Sequence, residues 1–98
     1  MLSPPDDDPR LKKLRFRAWR RGFREADLIL GGFADAHLAS LDSGQLDRFE
    51  ALLEEHDVEL YTWIIETAPT PPAFDHDVMH LIKDFRHSAF ASLGVRGG

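Results

Sequence analysis

The sequence contains no cysteine, and only one tyrosine and two methionines among its 98 residues. The missing cysteine removes disulfides, thiolate nucleophiles and zinc-thiolate sites in one step. A fold without such cross-links stands on packing alone, which suits a reducing compartment, so a cytoplasmic location is expected. No apolar run approaches the ~20 residues that a membrane-spanning helix needs, and membrane insertion is not expected. The start, Met1-Leu2-Ser3-Pro4-Pro5-Asp6-Asp7-Asp8, has neither the basic nor the apolar region of a secretory signal. Residues 1–8 read as a disordered leader, 9–94 as one domain and 95–98 as a frayed tail. Sustained two-residue alternation, internal repeats and low-complexity tracts are also absent. A chain this short buries only ~60–65% of its unfolded surface, which leaves one modest core. A deep substrate cavity of ~300–1,000 Å³ has little room in it.

What is present is an uneven distribution of charge. Residues 1–24 hold eight Lys and Arg against three Asp, a local balance of +5. Residues 25–98 hold four basic against fourteen acidic residues, a balance of −10, for a net charge of −5. Such asymmetry steers an oppositely patterned partner more than it stabilises a fold.

Helical start and stop signals recur along the chain. Asp8-Pro9 supplies an N-cap and a residue suited to the first helical position. Leu11, Leu14 and Ala18 follow at helical spacing, with Phe16, Trp19 and Phe23 as a second, aromatic row. Gly22 is the natural C′ residue, and the first helix is predicted over ~10–21. A second helix begins near Phe23 or Arg24, with Glu25 and Asp27 on the favourable side of its dipole. Leu30, Phe33, Ala34, His37, Leu38 and Leu41 form its apolar stripe. Gly31-Gly32 within it costs ~1 kcal/mol per glycine, so a kink or a close approach is expected there.

Asp42-Ser43-Gly44-Gln45 matches a capping box, and Leu46, Phe49, Leu52 and Leu53 follow as the inner face of a third helix. Asp57 opens a fourth, which Pro69, Pro71 and Pro72 should stop. Asp75 is the expected cap of a fifth, with Val78, Leu81, Ile82, Phe85 and Ala89 facing inward. The predicted architecture is all-α: a compact antiparallel bundle of five short helices.

Three constellations invite chemistry. The basic run Arg10-Leu11-Lys12-Lys13-Leu14-Arg15-Phe16-Arg17 could track phosphates and stack bases, making a small nucleic-acid-binding or regulatory protein the alternative function. Fourteen carboxylates on the remainder would repel a polyanion, and no recognition motif accompanies the run, so no nucleic-acid partner is expected. His76, His80, Asp84 and His87 share a helix face at metal-ligand spacing, but no HExxH-type pattern is present and a polar outer face accounts for them. Glu25 and Asp27 diverge by ~200° on a helix, so they form no carboxylate dyad, and no catalytic residues are assigned.

The stretch Arg20-Arg21-Gly22-Phe23-Arg24-Glu25-Ala26-Asp27 remains. As a docking site, Gly22 would admit a partner's backbone, Arg21 would offer a planar fork, and Glu25 would accept from a partner's donors. As a plain helix corner, Arg21 and Glu25 would form an i,i+4 pair worth ~0.3 kcal/mol. The physical reading leaves both open.

The same residues resemble the RGxxE signature of the SdhE family, the FAD assembly factors of succinate dehydrogenase. The likeness continues through Leu30-Gly31-x-Phe33, Leu46-x-x-Phe49-Glu50-x-Leu52-Leu53 and Asp57-x-x-Leu60-Tyr61-x-Trp63-Ile64, covering roughly residues 11–65. Phe23 departs from the pattern, since many members have methionine there, but it keeps an apolar side chain. The resemblance implies a small helical protein that binds the flavoprotein subunit of succinate dehydrogenase, and often that of fumarate reductase. Such a protein promotes covalent attachment of FAD to a histidine of that subunit. Arg21, Gly22 and Glu25 would contact the partner, with Arg20 and Asp27 beside them. FAD would belong to the client, and this chain would hold no cofactor of its own.

Overall fold

Within residues 8–92, which the computed structural model describes, the chain forms five α-helices and no strand. The expected leader (apart from Asp8), the frayed tail and the expected domain end at 94 lie outside these residues. The all-α five-helix bundle predicted from periodicity is therefore the architecture found.

Helix α1 is Pro9–Ala18. Asp8 opens it by accepting from the Arg10 amide at 2.8 Å, and Pro9 occupies the first turn, as expected. The helix stops three residues sooner than predicted, where the Trp19 and Arg20 amides donate back to Arg15 and Arg17 carbonyls. Gly22 is thus not its C′ residue; it lies further along the connection, at φ +106°. The intervening residues are spent on burial, because Trp19 turns onto the next helix and Arg21 turns inward.

Helix α2 is Arg24–His37, and it continues unbroken through Gly31-Gly32. Close approach, and no kink, explains the glycines. A Cβ on Gly31 would overlap the Trp19 indole, and one on Gly32 would meet Phe85 at 3.2 Å. Ile29, Leu30, Phe33 and Ala34 face the core, followed by a 3₁₀ turn over Leu38–Ser40 that buries Leu38. His37 is exposed, yet its ring still leans on Phe33 and Phe85.

Helix α3, Ser43–Leu53, starts with the predicted capping box: Gln45 donates its amide to Asp42 at 2.8 Å, and Gln45 Oε1 accepts from the Asp42 amide at 3.0 Å. Helix α4, Asp57–Ile64, ends before the prolines are reached. Glu66 takes the left-handed conformation, at φ 64°, while its amide and that of Thr67 donate to Trp63 and Thr62 carbonyls. That is a Schellman stop, with glutamate where glycine would cost less. Helix α5 is Asp77–Ser92. Its cap is His76 and not Asp75: His76 Nδ1 accepts from the Met79 amide at 3.2 Å, while Asp75 pairs with His80.

The core joins all five helices. Phe33 of α2 lies at its centre, with Phe49 of α3 and Phe85 of α5 at ring separations of 5.7 and 6.0 Å. Val78, Met79 and Ile82 are the buried face of α5, whereas Leu81, expected inside, is exposed. At the far end Phe74 stacks on Trp63 at 5.3 Å.

The charge asymmetry is settled inside the molecule. Arg10 of α1 reaches Asp47 and Glu50 of α3, Arg17 reaches Glu50 and Glu54, and Arg15 reaches Asp35 of α2. Each exposed pair is worth only ~0.2–1 kcal/mol. Together they fix which face of α1 meets α3, and they occupy the arginines that a phosphate backbone would have needed.

Two predictions follow from these contacts. Gly31→Ala should destabilise the fold by ~1–3 kcal/mol in urea unfolding despite alanine's better helix propensity, because the methyl displaces the Trp19 indole. The second concerns pH. Burial holds the His76 imidazole below its ordinary 6.5, so its contribution is full above that value and shrinks as pH falls through it. The Arg48 and Gln45 hydrogen bonds hold Asp77 at about 2 against an ordinary 3.8, so its contribution is lost only as pH falls from 3.8 toward 2. His76→Asn, which keeps a cap acceptor, should flatten the upper of the two acid transitions in thermal melts and leave the lower one.

Candidate functional site

The connection between α1 and α2 runs from Trp19 to Phe23 and carries most of the residues singled out from the sequence. Arg21 is the side chain that shapes it. The residue is 6% exposed, and its guanidinium points into the molecule, donating to the Leu53 carbonyl at 2.8 Å and the Glu55 carbonyl at 2.9 Å. Its Nη2 also pairs with Asp57 Oδ1 at 2.7 Å, and only its Nε is buried without a partner within its own side chain. The outward fork expected of Arg21 is therefore corrected. Burying a guanidinium is tolerable only where carbonyls and a carboxylate replace its water, and the α3–α4 corner provides them. The i,i+4 pair with Glu25 does not form either, since Arg21 lies outside both helices and pairs with Asp57.

Gly22 belongs to the same clamp. A Cβ built on it would lie 2.9 Å from Asp57 Oδ2, and its φ of +106° is one that side-chain-bearing residues rarely adopt. Glycine is required because the Asp57 carboxylate rests against its Cα while gripping Arg21. Asp27 closes the loop from the other side, accepting the Arg21 amide at 2.6 Å. Phe23 packs edge-on against Tyr61 of α4 at 5.1 Å.

Three charged residues are left facing outward. Arg20 lies over the Phe16 ring at 4.2 Å, and Arg24 and Glu25 stand exposed in the first turn of α2. Glu25 makes no hydrogen bond or ion pair among the described residues. Between these groups lies an open cleft of about 680 Å³, lined by Trp19, Arg20, Gly22, Phe23, Arg24 and Asp27.

The histidines of α5 are engaged separately on its outer side. His76 is spent as a cap, His80 pairs with Asp75 at 2.9 Å and His87 lies 3.7 Å from Glu66. Among the described residues no group of three His, Asp or Glu side chains could hold a metal. Asp57 and Trp19 are the residues of this corner whose contacts sequence reasoning missed. Asp57 reads as a helix opener and as part of a block of the resemblance, and nothing local links it to an arginine so far back in the chain. For Trp19 a signal existed: a bulky aromatic upstream and a paired glycine in the following helix.

A small helical protein that spends its buried arginine on fixing a loop, and then shows charged and aromatic groups around an open cleft, has the build of an interaction module. Comparison with known proteins identifies the kind. A family model described as flavinator of succinate dehydrogenase matches residues 12–86. Succinate dehydrogenase assembly factor 2-A, mitochondrial, of Drosophila ananassae is 34% identical over 86 residues, 84% of this chain and 55% of that protein. Succinate dehydrogenase assembly factor 2, mitochondrial, of Candida glabrata is 34% identical over 82 residues, 80% of this chain and 54% of its own length. The Dictyostelium discoideum protein of the same name is 35% identical over 72 residues, 74% of this chain and 51% of its own. The chain belongs to the flavinator family of succinate dehydrogenase assembly factors. It spans about half the length of the curated relatives it matches.

The clamp makes a prediction. Arg21→Met keeps the apolar stem but strands two carbonyls and Asp57, and should cost ~3–5 kcal/mol in urea unfolding. Asp57→Asn retains an acceptor oxygen and should cost ~1–2 kcal/mol, with faster amide exchange confined to residues 20–23. Wild-type stability in Arg21→Met would show that the corner is held by something else.

Proposed function

We propose that this protein binds the flavoprotein subunit of succinate dehydrogenase and promotes covalent attachment of FAD to it, and that it serves the matching subunit of fumarate reductase in the same way. The observation that carries this reading is the corner itself. In a chain of this family, Arg21, Gly22, Asp27 and Asp57 lock a loop from within, so that Arg20, Arg24 and the unpaired Glu25 are presented in fixed positions. Pre-setting such a loop lowers the ordering cost of binding, so more of the contact energy becomes affinity.

The protein works by positioning and has no active site of its own in this reading. The bond-forming chemistry belongs to the client and its flavin, and holding them in a competent arrangement accelerates a step that they perform themselves. FAD is assigned to the client. The described residues form helices and short connections without a strand, so they offer no strand-to-helix phosphate loop, and the cleft is too open to enclose a dinucleotide. Glu25 is assigned the finer role of orienting the client's acceptor histidine, as carboxylates orient imidazoles elsewhere. No helix among the described residues is long and apolar enough to cross a membrane. We place the work in the cytoplasm.

The test is to mix the purified protein with apo-flavoprotein subunit and FAD and to follow flavin fluorescence that survives denaturation. Covalent flavin should rise above a control lacking the protein; equal signals would overturn the reading. Glu25→Gln should bind the subunit as the wild type does, yet slow flavinylation. Gly22→Arg should stay helical by circular dichroism and fail to promote flavinylation, because it dislodges Asp57 from the loop.

A further inference from the structure

Charge accounting separates two arginines from the others. Among the described residues, Arg10, Arg15, Arg17, Arg21 and Arg48 each answer a carboxylate of this chain. Arg20 and Arg24 answer none. Both line the cleft, whose single carboxylate, Asp27, is already engaged by the Arg21 amide. In a chain of net charge −5 this is a local cationic island.

The island is set in exposed apolar surface. Of the large hydrophobic side chains that stand exposed, Phe16 at 59%, Leu28 at 45% and Trp19 at 37% lie around it. Phe16 sits under the Arg20 guanidinium, and Trp19 rests on α2 at Gly31. Leu28 is one helical turn from both Gly31 and Arg24, so it extends the same surface. Stacking on Phe16 occupies the face of the Arg20 guanidinium and leaves its N–H edge open, the edge that grips a carboxylate in the plane.

We propose that this face, formed by Phe16, Trp19, Arg20, Arg24 and Leu28, takes an acidic segment of the partner in which carboxylates are flanked by hydrophobic side chains. The proposal rests on the function proposed above and names the chemistry by which the client is recognised. The face lies alongside the Arg21–Gly22–Glu25 corner and widens it onto α1 and the outer side of α2. A second copy of this chain fits poorly, because a two-fold contact through this face would oppose identical arginines. A polyanionic backbone also fits poorly, since two guanidiniums at one cleft are few for a phosphate backbone and the chain as a whole is acidic.

The test places a photoreactive benzoylphenylalanine at position 16 of the full chain and irradiates it with purified apo-flavoprotein subunit. Mass spectrometry then reads the captured peptide. The expected product is a client peptide carrying Asp or Glu next to aliphatic or aromatic residues. Arg20→Glu and Arg24→Glu should each weaken association by about tenfold or more, with unchanged thermal melts. Leu28→Ser should weaken it several-fold. Capture of a segment without carboxylates, capture of a second copy, or wild-type affinity in both charge reversals overturns the proposal. If the wild-type protein binds the subunit and raises covalent flavin while the charge reversals do the same, the docking chemistry falls and the function stands. If the wild type does neither, both fall.

Discussion

The buried guanidinium of Arg21 is the constraint on which the corner depends. Helix ends are electrically unlike: the last carbonyls of α3 carry partial negative charge, and the first amides of α4 partial positive. Arg21 answers the first directly through the Leu53 carbonyl, donates also to the Glu55 carbonyl beyond the helix, and pairs with Asp57, the opening residue of α4. One side chain therefore ties the end of α3 to the start of α4. The remaining local features follow from that arrangement. Asp57 has to lie close to the loop, so residue 22 can carry no side chain. The chain has to leave α1 early to bring Arg21 inward, so α1 ends at Ala18.

This divides the Arg20–Asp27 stretch into two halves. Arg21 and Gly22 face inward with Asp27 and Asp57 and hold the loop still, while Arg20, Arg24 and Glu25 face outward. A stretch that looks like one continuous contact surface in sequence is an inner clamp and an outer display in space. Under the proposed function, a substitution in the inner half would act on binding indirectly, through the loop's shape, whereas one in the outer half would act on the contact itself.

Much of the fold was legible because its signals are local. Asp8-Pro9, the Asp42–Gln45 box and the 3.6-residue spacing of Leu11, Leu14 and Ala18 each depend on neighbours within a turn or two, and each appears as expected. Gly31-Gly32 announced a close approach without naming the intruder, since Trp19 reaches them from the end of α1 and Phe85 from α5. What could not be read was long-range pairing. The inward turn of Arg21 depends on α3 and α4, and the neutralisation of Arg10, Arg15 and Arg17 depends on acids that only the fold brings near. His76 displaced Asp75 as a cap for a geometric reason, because it is three residues before Met79 and Asp75 is not. The orientations of the charged residues around Gly22 were not legible, because a sequence lists charges without saying which of them face water.

The placement of the two tryptophans gives the molecule a property of its own. Trp63 is 8% exposed and stacked on Phe74 at one end of the core, while Trp19 lies half in solvent at the cleft, with its indole across Gly31. Indole emission follows the polarity around the ring, so the natural sequence carries an optical label at the outward face and a shielded internal one stacked on Phe74. Events at the corner and events in the core are thereby spectroscopically separable without any added dye.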